Sequence, residues 1–129
     1  MSDFKLIPLV KDYYTITRQY KEGESYVFEV DLNEKCAVYQ GHFPEEPIAP
    51  GVCNIQLIKE CAEIAIQQKL QLQVLQRCRF LKLIIPQENK SFMIKINVGF
   101  SEEKCMVFAQ VIAEQEIYLD LKGIFLVCK

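Results

Sequence analysis

An α+β fold, with one long helix packed on a predominantly antiparallel sheet, is predicted for this chain by three features of its sequence. Apolar residues alternate before residue 33, switch to a helical period after Pro50, and return to strand-like runs from Gln73 onward. The connections between the later runs are short and polar. A hairpin, then one helix, then a series of adjacent strands is the order of an antiparallel sheet that buries one face on a helix.

Tyr13 to Tyr20 is rich in β-branched and aromatic residues and predicts the first strand, closed by the turn residues Glu22-Gly23-Glu24-Ser25. From Ser25 to Leu32, Tyr26, Phe28 and Val30 share one face against Val27, Glu29 and Asp31, which completes a hairpin. After Asn33-Glu34-Lys35, a short extended piece is expected around Ala37-Val38-Tyr39. From about Pro50, Ile55, Leu57, Ile58, Cys61, Ala62, Ile64, Ala65 and Ile66 fill one broad arc at about 100° per residue. Gln56, Lys59, Glu60, Glu63 and Gln67 share the opposite face. An arc this wide predicts a helix seated deeply against the sheet, entered through the rigid Pro47 and Pro50 and ending near Leu70. Strands are then expected over Gln73 to Ile85, Ser91 to Phe100, Lys104 to Glu114 and Ile117 to Val127.

Composition narrows the function classes. A chain of 129 residues with half its residues hydrophobic is the size of one domain with a usable core, so residues 1–129 are expected to form a single unit. A formal charge of −2, with acidic and basic residues interspersed, leaves no electrostatic footprint for DNA or RNA. The N-terminus lacks a signal-peptide apolar region, and no segment reaches about 18 uninterrupted apolar residues. A cytoplasmic protein without a membrane span is expected. The six cysteines, Cys36, Cys53, Cys61, Cys78, Cys105 and Cys128, are widely spaced with no C-x-x-C pair. They read as reduced thiols, and neither a metal nor a cofactor is expected. Cys53 stands near the helix start, where a thiol pKa can fall, but is expected to pack and not to react.

The only histidine, His42, stands in Gly41-His42-Phe43-Pro44-Glu45-Glu46-Pro47-Ile48-Ala49-Pro50-Gly51-Val52, directly before the helix. Imidazole titrates nearest neutrality, so a single copy set beside a rigid turn is a candidate general base. H-F-x-x-x-P-x-x-P-G-V followed by an apolar helix resembles the active-site signature of the hotdog-fold 3-hydroxyacyl-acyl-carrier-protein dehydratases of fatty-acid synthesis. Arg79-Phe80-Leu81-Lys82-Leu83-Ile84-Ile85-Pro86 is similar to that family's K-F-x-x-x-V-x-P strand. The resemblance implies a hotdog fold, an antiparallel sheet wrapped around a long central helix. It also implies an acyl-carrier-protein or CoA thioester substrate, a catalytic His42, and a homodimer or higher homo-oligomer whose sites lie between subunits.

The chain departs from that pattern fourteen residues after His42, where the family's Glu or Asp is replaced by Gln56. An amide orients a substrate or a water but does not exchange protons in this pH range. Glu60 lies one helical turn further, about 5.4 Å along the same face, where these dehydratases often carry Gln. Two readings of Glu60 stand: a carboxylate that reaches the site through a water, or a solvated or dimer-interface charge on a polar face. The catalytic candidates are therefore His42, Gln56 and Glu60.

Phe43, Pro50, Gly51 and Val52 are the substrate-binding candidates. Phe43, Pro44, Pro47 and Pro50 fix the loop, Gly51 permits close backbone approach, and the helix start offers N–H groups to a thioester oxygen. Glu45 and Glu46 read as exposed loop charges. Phe80, Leu81, Leu83, Ile84 and Ile85 read as core or as the wall of an acyl tunnel.

The expected reaction is elimination of water from a 3-hydroxyacyl thioester to give the trans-2-enoyl product. The alternatives are a catalytically weak acyl-binding subunit, including a hetero-oligomer with a paralogous dehydratase, and a hotdog thioesterase.

Overall fold

Residues 13–36 and 49–128 are described by the computed structural model. β1 (Tyr14–Glu22) and β2 (Ser25–Leu32) form the expected hairpin, with Glu22 opposite Ser25 and Gly23 at φ 62° in the two-residue turn. Lacking a Cβ, glycine adopts this left-handed conformation without a clash. The chain continues through α1 (Gly51–Ile66), β3 (Lys69–Phe80), β4 (Ser91–Ser101), β5 (Lys104–Ala113) and β6 (Glu116–Cys128). The piece expected around Ala37-Val38-Tyr39 lies outside the described residues.

The six strands form one sheet in the order β1-β2-β4-β5-β6-β3, with every neighbouring pair antiparallel. The third strand in the chain thus lies at the far edge, and α1 makes the crossing from β2 to β3 while packing on the sheet. Alternation sets the inner face: Phe92, Ile94 and Ile96 of β4, Val107, Ala109 and Val111 of β5, and Leu119, Leu121 and Phe125 of β6 are all buried. Leu57, Ile58, Cys61 and Ala62 of α1 complete the same core. Ile64, expected within the apolar arc, is exposed.

Three boundaries differ by four residues or more from the sequence-based expectation, and one of them is the start of β3, at Lys69 and not Gln73. The helix ends at Ile66 and not near Leu70, because Gln67 turns left-handed at φ 60°, ψ 39°, and its N–H bonds the Glu63 carbonyl. The Glu63 carboxylate then accepts the Leu70 backbone N–H at 2.8 Å, so one side chain both closes the helix and opens β3. β3 in turn ends at Phe80 and not Ile85. The N–H groups of Leu81 and Lys82 turn onto the Tyr118 carbonyl, and the Ile84 carbonyl accepts the Ala49 N–H at 2.8 Å. That last bond ties the segment after β3 to the approach of α1.

Candidate functional site

α1 begins at Gly51 behind Pro50, which stays extended at φ −68°, ψ 140° and contributes no side-chain cap. The Pro50 carbonyl accepts the N–H groups of Cys53 and Asn54. The first N–H groups of a helix have no acceptor within it, so those of Gly51 and Val52 project from its positive end. A Cβ on Gly51 would lie 2.8 Å from Cζ of Phe80, so the glycine is what lets this ring rest on the helix start. Phe80, Val52, Leu81 and Leu83 are all at least half exposed, whereas Ile84 is buried. The core reading therefore holds for Ile84 and fails for Phe80, Leu81 and Leu83, which are exposed as are Leu72, Val74 and Leu75 earlier on β3.

The polar face of α1 is partly withdrawn from solvent, with Glu60 buried, Gln56, Lys59 and Glu63 half-buried, and Gln67 exposed. Glu60 is only 9% exposed, although it shares the helix side that sequence assigns to polar residues. Its Oε1 accepts the Tyr14 hydroxyl at 2.8 Å and its Oε2 accepts Nε2 of Gln56 at 2.9 Å. The reading of Glu60 as a solvated charge is thus overturned. The structure brings Gln56 and Glu60 together at the i, i+4 spacing that aligns side chains on a helix. Tyr14 is fully buried, and burial first, then the neighbouring Cys61 and Glu60, pushes its phenol far above the ordinary range. It therefore remains a hydrogen-bond donor at every physiological pH.

Two residues before Gln56, the buried Asn54 accepts the hydroxyl of the buried Tyr13 at 2.6 Å. Tyr13, Tyr14 and Asn54 were not candidates from sequence. Two consecutive tyrosines at a strand start are the signal that was available, since a buried phenol usually finds a partner for its hydroxyl. Beyond Glu60, a cleft of about 370 Å³ opens between Tyr14, Glu60, Glu63, Ile64, Gln67, Gln68 and Lys69. Lys59 and Glu63 pair along its helix side at 3.0 Å.

His42 and Phe43 lie outside the described residues, as do Glu45 and Glu46. All six cysteines are free. Burial, then the nearby Cys36, pushes the Cys53 thiol up. Among the described residues no cluster of three metal-ligating side chains occurs, and no helix is long and apolar enough to cross a membrane.

An antiparallel six-stranded sheet packed on one helix is the hotdog architecture. The match to the ApeI-like dehydratase family covers residues 18–121, and the chain belongs to that family. Among curated relatives, the 3-hydroxyacyl-[acyl-carrier-protein] dehydratase FabZ of Clostridium botulinum strain Loch Maree is 24% identical over 127 aligned positions, covering 88% of each chain. The protein of the same name from Caldanaerobacter subterraneus is 28% identical over 102 positions, covering 72% of each. Among solved structures, the dehydratase heterocomplex ApeI:P from Xenorhabdus doucetiae aligns with a TM-score of 0.67 at 16% identity, over 89% of this chain and 97% of that one.

Proposed function

We propose that this chain dehydrates 3-hydroxyacyl thioesters, carried on acyl-carrier protein or CoA, in cytoplasmic fatty-acid or fatty-acid-like biosynthesis. The observation that carries the proposal is Glu60: a proton-exchanging carboxylate, absent at position 56, is buried one turn away and hydrogen-bonded to Gln56. In this reading His42 takes the C2 proton and the helix-start amides of Gly51 and Val52 polarise the thioester carbonyl. The C2–C3 double bond forms as the C3–O bond breaks. Gln56 holds the departing oxygen or a bridging water, and the proton that His42 has taken reaches that oxygen by way of the Glu60 carboxylate and the water, so that hydroxide leaves as water. Phe43 and Pro50 shape the entry. The test is conversion of a 3-hydroxyacyl thioester to its trans-2-enoyl product by the purified protein, with His42→Ala abolishing it. Wild-type turnover equal to that of His42→Ala would sink the assignment.

A homodimer or higher assembly accompanies this reading, and the far edge of the sheet supports it. Leu72, Val74 and Leu75 of β3 are each more than a third exposed, and Phe80 at its end is 55% exposed. An apolar, unpaired sheet edge among the described residues is the surface a second subunit would cover. Light scattering should report at least a dimer, and Val74→Lys should dissociate it.

A second reading makes the chain the weak partner of a paralogous dehydratase, and the same apolar edge together with the heterocomplex among its structural relatives favours it. Copurification with a hotdog paralogue, without dehydration by this chain alone, would establish that reading. A thioesterase would instead release free thiol without enoyl product.

A further inference from the structure

Tyr14 has no role in the reaction as proposed, yet it is fully buried and donates to the one carboxylate that reading uses. It enters from β1, while Gln56 and Glu60 belong to α1, so the contact joins residues 46 apart in the chain. Each carboxylate oxygen of Glu60 receives one of these two donors: Oε1 the phenol, Oε2 the Gln56 amide nitrogen. A carboxylate gripped on both oxygens has its plane fixed. Because a carboxylate only accepts, Gln56 must turn its NH2 group towards Glu60, and its carbonyl oxygen is then turned away.

We propose that Tyr14 is a positioning residue which, by holding Glu60, fixes the Gln56 amide with its carbonyl oxygen presented as an acceptor for a hydroxyl or water of the bound ligand. The site of this chain is thereby set to receive an O–H donor. A 3-hydroxyacyl thioester supplies that donor, whereas its 3-oxo counterpart does not. This selectivity rests on the dehydratase reading, but the positioning itself does not.

The closing experiment has one arm that needs no turnover. Tyr14→Phe removes the hydroxyl and keeps the ring, and the side-chain 15N–1H signals of Gln56, identified by their loss in Gln56→Glu, report on the amide. In wild type the two protons should be well separated, and in Tyr14→Phe they should move towards the positions of a solvent-exposed amide. If Tyr14→Phe fails to fold, Glu60→Gln serves in its place, since it removes one acceptor oxygen and should displace the same signals. Unchanged Gln56 signals in the folded variant overturn the proposal, whatever the activity. In the activity arm, kcat for dehydration should fall about tenfold in Tyr14→Phe with KM within about twofold, as loss of orientation demands. In a Glu60→Gln background, Tyr14→Phe should lower kcat no further, whereas a merely structural loss would add. An inactive wild type would count against the dehydratase reading alone. An active wild type matched in kcat by Tyr14→Phe would overturn the positioning role alone.

Discussion

Glu60 and Asp120 are both buried, at 9% and 8% exposure, and they are held in contrasting ways. Asp120, on β6, lies under two guanidinium groups of the edge strand, Arg77 at 3.0 Å and Arg79 at 2.8 Å. The Arg79 hydrogen bond first, then those of Arg77 against an opposing desolvation, holds its carboxyl below the ordinary carboxylate range. That pairing fixes a charge and fastens β3 to the sheet. Glu60 receives the Tyr14 hydroxyl on one oxygen and the Gln56 amide on the other among its described contacts, and it borders a cleft. A carboxylate locked under arginines is poorly suited to trade protons, while one held by a phenol and an amide beside open space is suited to it. The two sites separate a carboxylate that fastens a strand from the one to which the proposed reaction assigns a proton.

Truncating Glu60 should have the larger effect on folding. Glu60→Ala leaves the buried Tyr14 hydroxyl and the Gln56 amide without this acceptor, at a cost of about 3 kcal/mol. Chemical denaturation of the variant against wild type measures it. A loss under about 1 kcal/mol would mean that water readily replaces the carboxylate.

Gln56→Glu sharpens the comparison by placing a second carboxylate where the amide now lies 2.9 Å from Glu60. Two carboxylates this close share a proton, so the pair titrates higher in the folded protein than in the unfolded chain. The folded state then binds more protons between those values, and stability falls as pH rises through that window. The variant should match wild type near pH 4 and be less stable by about 2 kcal/mol at pH 8. A pH-independent difference in urea midpoint would contradict the close approach of the two side chains.

Asp120→Asn should cost about 1–2 kcal/mol, because the partner arginines are about half exposed and solvent screens them. The sign of its pH dependence is opposite. A carboxyl whose folded pKa is lowered contributes stability above its ordinary value of 3.8 and loses it as pH falls through the depressed one. The gap between wild type and Asp120→Asn should be constant above about pH 4 and close in stronger acid. A gap that persists in acid would show that the arginines act through packing alone.

Tyr13→Phe should have the smallest effect, about 1 kcal/mol, since it removes one hydrogen bond to Asn54 and leaves the ring buried. Thermal unfolding checks it. A loss as large as that of Glu60→Ala would remove the distinction between the two tyrosines.

Much of this architecture was legible because periodicity reports which face is buried. The hairpin turn at Gly23, the alternation of Phe92, Ile94 and Ile96, and the helical arc through Leu57, Ile58 and Cys61 all follow from residue spacing. The exposed turn of Phe80, Leu81 and Leu83 was not legible, because an apolar run after a strand reads the same whether it continues inward or breaks. The polar side of α1 was misread for a related reason. Spacing marks Glu60 as polar but does not reveal that Tyr14, 46 residues earlier, arrives to cover it. Gln56 and Glu60 were identifiable as a pair on one face. Their shared hydrogen bond, and the buried setting that gives it chemical meaning, depend on the tertiary fold.

The most direct test is the rate of trans-2-enoyl thioester formation from a 3-hydroxyacyl thioester, measured for wild type, Glu60→Gln and Asp120→Asn at one pH. Glu60→Gln should lose about a hundredfold or more in kcat, the usual worth of a positioned acid or base. Asp120→Asn should stay within about twofold of wild type, since its role is to fasten β3. Equal rates for wild type and Glu60→Gln, or equal losses in the two variants, would contradict the assignment of Glu60 to the chemistry.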